Sequence, residues 1–399
     1  MSFPNNSVYQ TTTFHESTMD TACRQFNHML MLHRLKMMPK IDLHRHFEGS
    51  LRLETLASIA KAYKMDLPHD PDGLRPFVQM VSEEPSADTF LGKFKTLHNF
   101  YRTPEIIWNF AYQVVEDAAI DNITYLEVRF NPYALARFNN YPLDKVVDWV
   151  IDATRQAAID YKIMVNLIIT MVRHDPIEKV KRVAEIAFER FNRGIVGLDL
   201  AGDAMRYPSD LFTDIFVEAQ RQGIGITIHA GEWMPAETVR QAVETLGAHR
   251  IGHGVRSFED PNVIALLKER DITLEMCLTS NIHTAAVSDL KKHPIKHLLR
   301  QNVNITLNTD DPLISDITLT DELATAMESL SFGYPRFYQL TQKAAQAAFA
   351  SDKVKAKLTE HISQMWSDDN RYNQIAKQLI DSAPNRVAAR NAHESFSMR

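Results

Sequence analysis

The chain has 399 residues, of which 45% are hydrophobic and 24% charged, the proportions of a globular protein with one large domain or two ordinary ones. A formal net charge of -6 offers no basic surface for a phosphate backbone, which argues against a nucleic-acid partner. Cys23 and Cys277 are too few for a disulfide framework, and no stretch approaches the roughly 18 apolar residues of a membrane span, so a cytoplasmic protein with no membrane partner is expected.

Residues 1–38 are polar, and His33, Arg34 and Lys36 interrupt their one apolar stretch. They read as a flexible extension, not as a signal peptide. Strand-like segments then recur: "KIDLH" (40–44), "ITYLEVRF" (123–130), "IMVNLIITMV" (163–172), "IVGLDLAG" (195–202), "GITIHAGE" (225–232), "RIGHG" (250–254), "TLEMCLTS" (273–280) and "NITLNTDD" (304–311). Most are short, β-branched and nearly continuously apolar, as parallel strands buried on both faces are. Helical patterns lie between them. In "PIEKVKRVAEIAFERF" (176–191), Val180, Val183, Ile186, Ala187 and Phe191 fall near helical spacing with charges opposite. Eight such alternations predict a (β/α)₈ TIM barrel over 39–385. An open doubly wound sheet would usually carry G-x-G-x-x-G after its first strand, and none is present. Residues 51–122 are too many for one crossover and predict extra helices, including an insertion over the barrel mouth. The chain after 312 reads as helical, with 386–399 as a C-terminal tail.

Such a barrel places its active site at the C-terminal ends of the strands. There the sequence sets His46 (strand one), Gly202 (four), His229 with Glu232 (five), His253 (six) and Asp310 with Asp311 (eight). "HRH" alone is a weak signal; its repetition along one edge is not. Imidazole and carboxylate together suit Zn²⁺, whereas an all-oxygen set would suit Mg²⁺ or Ca²⁺. His44 and His46 share a face of strand one, with His229 and Asp310 in reach from strands five and eight. A remaining position would hold an acidified water, and hydrolysis follows. Glu232 and His253 are then the candidate acid and base, with His253 open as a further ligand. Asp311 divides between a helix cap before Pro312 and a substrate contact. Cys277 reads as core, and no G-x-S-x-G elbow supports serine catalysis.

"KIDLHRHFEGSLR", "GLDLAGD", "ITIHAGE", "RIGHGV", "CLTSN" and "ITLNTDDP" together resemble, in order, the motifs of adenosine deaminases. The likeness runs from about Pro39 to the mid-300s. It implies a barrel hydrolase with one Zn²⁺ per subunit that converts adenosine or 2′-deoxyadenosine, small purine nucleosides, to the inosine product and ammonia. His44, His46, His229 and Asp310 match the metal ligands. Glu232 matches the group that protonates N1 as zinc-bound hydroxide attacks C6, and His253 matches the base. Gly202 matches the donor to N3 and Asp311 the carboxyl at N7. Phe90, Leu91 and Phe94 match a helix covering the pocket, and His46 also borders the substrate. Glu48 stands where many of these enzymes have the aspartate that reaches the ribose 5′-hydroxyl. It keeps two alternatives open, deamination of adenine or of a 5′-modified adenosine. Gly252 and Thr309 favour the adenosine type. Ala204, where glutamate is common, and His283 are further departures. A two-metal amidohydrolase would need a bridging lysine at a strand end, and a catalytically silent barrel would lack the ligands. Oligomeric state leaves no trace in the sequence.

Overall fold

The computed structural model describes residues 25, 27–81, 83–202 and 206–382, with side chains to residue 367. Eight parallel strands pair in sequence order. They are β1 (Lys40–His46), β2 (Ile123–Phe130), β3 (Met164–Val172), β4 (Ile195–Ala201), β5 (Gly225–Ala230), β6 (Arg250–His253), β7 (Thr273–Met276) and β8 (Asn304–Leu307). β1 meets β8 through Leu43 N–H on Asn308 Oδ1 at 3.0 Å and His46 N–H on the Asp310 carbonyl at 2.8 Å. Those bonds close the (β/α)₈ barrel that the alternation predicts.

The connecting helices bury the stripes that their spacing requires. In Ile177–Glu189, Val180, Val183, Ile186 and Ala187 are buried, and Phe191 packs on the core just past the helix end. The strands are less apolar than they read. Glu127, Arg129, Asp199, Arg250 and Glu275 are all buried. Arg250 bonds Glu127 Oε2 at 2.5 Å and Glu275 Oε1 at 2.6 Å, and Arg129 bonds Glu275 Oε2 at 2.7 Å. Charges taken this far from water persist only with such partners. At the N-terminal ends of the strands, the Phe349 ring fills the space over Gly225, where a Cβ would meet it at 2.4 Å. Arg250 stacks on the same ring at 3.6 Å. A cleft of 950 Å³ beside this plug therefore lies at the end remote from His44, His46 and His229.

Between β1 and β2 the chain forms the helices Leu53–Ala62, Pro71–Val78, Ala87–Leu97 and Pro104–Ile120. Asp70, Ser86 and Thr103 cap the last three through Gly73 N–H (2.8 Å), Thr89 N–H (3.1 Å) and Ile106 N–H (3.3 Å). Met80 N–H bonds the Ile314 carbonyl at 2.8 Å and Ser86 N–H that of His283 at 2.9 Å. This insertion is thereby tied to the loops after β8 and β7, at the barrel mouth.

Five strands end earlier than expected, β4 and β6 by one residue and three others by more. β5 stops at Ala230, β8 at Leu307 and β7 at Met276, after which Leu278–His283 is a helix. Buried Glu322 takes the N–H groups of Leu278 and Thr279 and turns the chain into that helix. Within the stretch expected to be flexible, residues 27–37 are helical. Leu35 is buried there, and Lys40 Nζ donates to the Leu35, Lys36 and Met38 carbonyls at 3.0–3.1 Å. Residues 1–24, Ala204 and the tail 386–399 lie outside the described residues.

Candidate active site

His44 and His46 come from the end of β1, His229 from β5, and Asp310 from the turn after β8. One potential ligand atom from each lies within 4.8 Å of all the others. His46 Nε2 faces His229 Nε2 at 3.2 Å, and His44 Nε2 lies 3.2 Å from Asp310 Oδ1. His44 Nε2 is buried and makes no well-angled hydrogen bond. The outer ring nitrogens are already engaged. His44 Nδ1 bonds Glu275 Oε2 at 2.7 Å and His229 Nδ1 bonds Asp199 Oδ1 at 2.9 Å. Such carboxylates hold the proton on Nδ1 and leave the Nε2 lone pair facing inward. Several bare nitrogens and a carboxylate oxygen converging on one point, one nitrogen orphaned, fit a divalent first-row cation.

Asp310 suits that role electrostatically. Burial would raise its carboxyl, but the imidazoles gathered around it, His44 first, hold it well below the usual range. Ser280 Oγ donates to its Oδ2 at 2.6 Å, which leaves Oδ1 for the cluster. Burial pushes His46 well down, so it stays neutral. Asp310 and His253 both have left-handed backbones, at φ 65° and 62°. For residues with a Cβ this costs roughly 1–2 kcal/mol each, strain of the kind that gathers at functional sites.

Glu232 lies at the edge of the cluster, 3.5 Å from His253 Nε2. Burial, and then the charge of Asp310, raise its carboxyl well above the ordinary range. That shift favours the protonated form. Thr284 Oγ1 orients it at 3.1 Å. His253 is neutral too, since burial lowers it well below the usual value. Its tautomer follows from a chain of bonds. Ile295 N–H donates to His293 Nδ1 (3.2 Å), so neutral His293 carries its proton on Nε2, which meets Asn281 Oδ1 at 3.3 Å. Asn281 Nδ2 then donates to His253 Nδ1 at 3.2 Å, leaving the His253 proton on Nε2. Toward the cluster His253 is a donor in that state, whereas the base expected there needs a bare nitrogen.

Asp311 packs directly on Gly49, where a Cβ would stand 1.8 Å from its Oδ1. That oxygen is buried without a partner. Burial, with Asp310 and Glu48 adding charge, raises the Asp311 carboxyl well above normal. Its side chain makes no cap bond to the following helix, so the capping alternative does not hold. Glu48 is buried, accepts the Asn131 N–H at 2.8 Å and is raised to about 7 by burial. Gly202 follows β4 at φ 97°. On Ala87–Leu97, Phe90 is buried, Phe94 half-buried, and Leu91 45% exposed. Cys277 is fully buried, as a core residue should be. His283 is half-buried and its Nδ1 lies 3.3 Å from Ser315 Oγ.

Sequence reasoning missed Glu275, Asp199, Ser280, Asn281, Thr284 and His293. For the first two a signal existed, since an acid inside an apolar strand calls for a buried partner. The other four hold their neighbours through contacts that no local spacing announces.

The adenosine deaminase family model matches residues 39–365. An adenosine deaminase of Shewanella loihica is 37% identical over 321 residues, 80% of this chain and 97% of the relative. Among solved structures, the adenine deaminase of Arthrobacter aurescens has a TM-score of 0.74 at 25% identity, over 83% of this chain and 99% of that one. The N6-methyl-AMP deaminase of Arabidopsis thaliana has a TM-score of 0.73 at 26% identity, over 84% and 98%. Fold, clustered histidines and kinship over four-fifths of the length agree, and the chain belongs to the adenosine deaminase family of hydrolases, which deaminate adenosine-like substrates.

Proposed function

We propose that the substrates are adenosine and 2′-deoxyadenosine, converted to the inosine product and ammonia with one Zn²⁺ per subunit. One observation carries this reading. Two buried carboxyls, Glu232 and Asp311, lie beside the converging side chains of His44, His46, His229 and Asp310, and burial raises both above the ordinary carboxylate range. A 6-aminopurine needs such a pair, because N1 and N7 are both acceptors. Zn²⁺ held by His44, His46, His229 and Asp310 would acidify a bound water. Glu232 gives its proton to N1, which makes C6 electrophilic. Asp311 donates to N7 and the Gly202 N–H to N3, fixing the ring's orientation. His253 holds the attacking water through its Nε2 proton, and acts as base only in the opposite tautomer. Phe90, Leu91 and Phe94 exclude bulk water as the helix that carries them covers the ring.

Glu48 favours a second reading. Its longer side chain either grips the 5′-hydroxyl or fills part of the ribose space, and the latter suits adenine or a 5′-modified adenosine. Once ionised, it repels a 5′-phosphate. The test is deamination, followed by ultraviolet absorbance, of adenosine, 2′-deoxyadenosine, 5′-deoxyadenosine, AMP and adenine in parallel. Adenosine ahead of all but its 2′-deoxy form supports the proposal. Adenine or 5′-deoxyadenosine ahead replaces it with the second reading, and AMP ahead overturns both.

A further inference from the structure

The six-residue helix Leu278–His283 makes no contact with substrate in the proposed function, yet it and the residue after it touch three groups of the site. Ser280 Oγ bonds Asp310 Oδ2 at 2.6 Å, Asn281 Nδ2 bonds His253 Nδ1 at 3.2 Å, and Thr284 Oγ1 bonds Glu232 Oε1 at 3.1 Å. At its other end the His283 carbonyl accepts the Ser86 N–H at 2.9 Å. Ser86 is the cap of the helix bearing Phe90, Leu91 and Phe94. A helix this short has little stability of its own. Cys277, at its N-cap position, supplies no side-chain cap bond. Glu322 supplies one from the helix Leu319–Leu330. Its Oε1 accepts the Thr279 N–H at 3.1 Å and its Oε2 the Thr279 hydroxyl at 2.5 Å. The Glu322 end of that contact is fully buried and the Thr279 end half-buried.

We propose that Glu322 is a positioning residue for the deamination, acting through the helix Leu278–His283 to set Asp310, His253 and Glu232 in register with one another and with the covering helix. Glu322 touches no reacting atom. Removing the cap leaves the Thr279 N–H and hydroxyl without this acceptor, and the helix shifts or frays to satisfy them. Displacement by a fraction of an ångström at three groups at once is costly to a reaction that needs all of them aligned. Burial raises the Glu322 carboxyl to about 7, so its neutral form is close in energy and glutamine is a fair copy of it. The inference rests on the proposed deamination, and its test carries a readout that does not.

The experiment compares the full zinc-loaded chain with Glu322→Ala, Glu322→Gln and the milder Thr279→Val, using adenosine. Expected for Glu322→Ala is a fall in kcat of about tenfold or more, with KM within about twofold and full zinc content. Glu322→Gln should recover most of the loss. In parallel, ¹⁵N resonances of the His253 ring should move in Glu322→Ala and return in Glu322→Gln, whatever the substrate. If Glu322→Ala fails to fold, Thr279→Val should show the same pattern more weakly. A wild-type chain inert toward adenosine would overturn the proposed substrate and leave the ¹⁵N result to decide the role of Glu322. A variant that only melts earlier, with kcat and the His253 resonances unchanged, would overturn the positioning role.

Discussion

His46 Nε2 and His229 Nε2 face each other at 3.2 Å, although they come from β1 and β5, four strands apart around the barrel. Two imidazole nitrogens this close share either a proton or a cation, and their convergence with His44 and Asp310 fits the cation. Zn²⁺ should therefore stabilise the folded chain by mass action. A chelator is expected to abolish deamination and lower Tm, with Zn²⁺ restoring both. Equal melting with and without the ion would count against the site.

Glu275 carries three loads at once, His44 Nδ1, Arg129 and Arg250. Glu275→Gln removes the charge but keeps the shape. Zinc affinity should fall by about 10–100-fold, because His44 loses the partner that orients it. Stability should fall by roughly 3–5 kcal/mol, because two buried guanidinium groups lose a counter-charge. Competition with a chromogenic chelator and urea unfolding measure the two effects, and a variant unchanged in both would contradict the assignment.

Glu232 lies outside the four-residue cluster, and burial raises its carboxyl. Glu232→Gln should keep full zinc content and lose about 10²–10⁴-fold in kcat, the usual worth of a positioned acid. Metal loss in place of rate loss would make Glu232 a ligand.

Gly49 has no side chain because the Asp311 carboxyl occupies the space. Gly49→Ala would put a methyl 1.8 Å from Asp311 Oδ1 and must displace it. A fall of about 10²-fold in kcat/KM is expected, with zinc content intact. Unchanged kinetics would remove Asp311 from the purine pocket.

Glu322 predicts a pH dependence of stability. The carboxyl ionises near 4.5 in the unfolded chain and about 7 in the folded one. Between those values the folded chain keeps a proton that the unfolded chain has lost. The stability from this group is thus whole below 4.5 and lost as pH rises through 7. From pH 4.5 to 8 the wild type should lose on the order of 3 kcal/mol more than Glu322→Gln. Urea unfolding at both pH values measures this, and parallel losses would show that Glu322 titrates normally.

The sequence by itself determined the strands and the edge on which the reactive residues fall. Strand identity is a local matter of β-branched apolar runs, and all eight were legible within a few residues of their ends. So was the convergence of His44, His46, His229 and Asp310, since each stands at or just beyond a strand end, and a parallel barrel aims every such end at one mouth. Only the tertiary structure decided what holds them there. Glu275 reaches His44 across the barrel, and Asp199 reaches His229 from the neighbouring strand; an acid inside an apolar strand signals a buried partner but does not say which one. Leu278, Thr279 and Ser280 read as a continuing strand because their turn into helix depends on Glu322, more than forty residues away. The tautomer of His253 depends on Asn281 and His293 in the same way. Local propensity writes the elements, but the protonation state and aim of a buried group belong to whichever distant side chain packs against it.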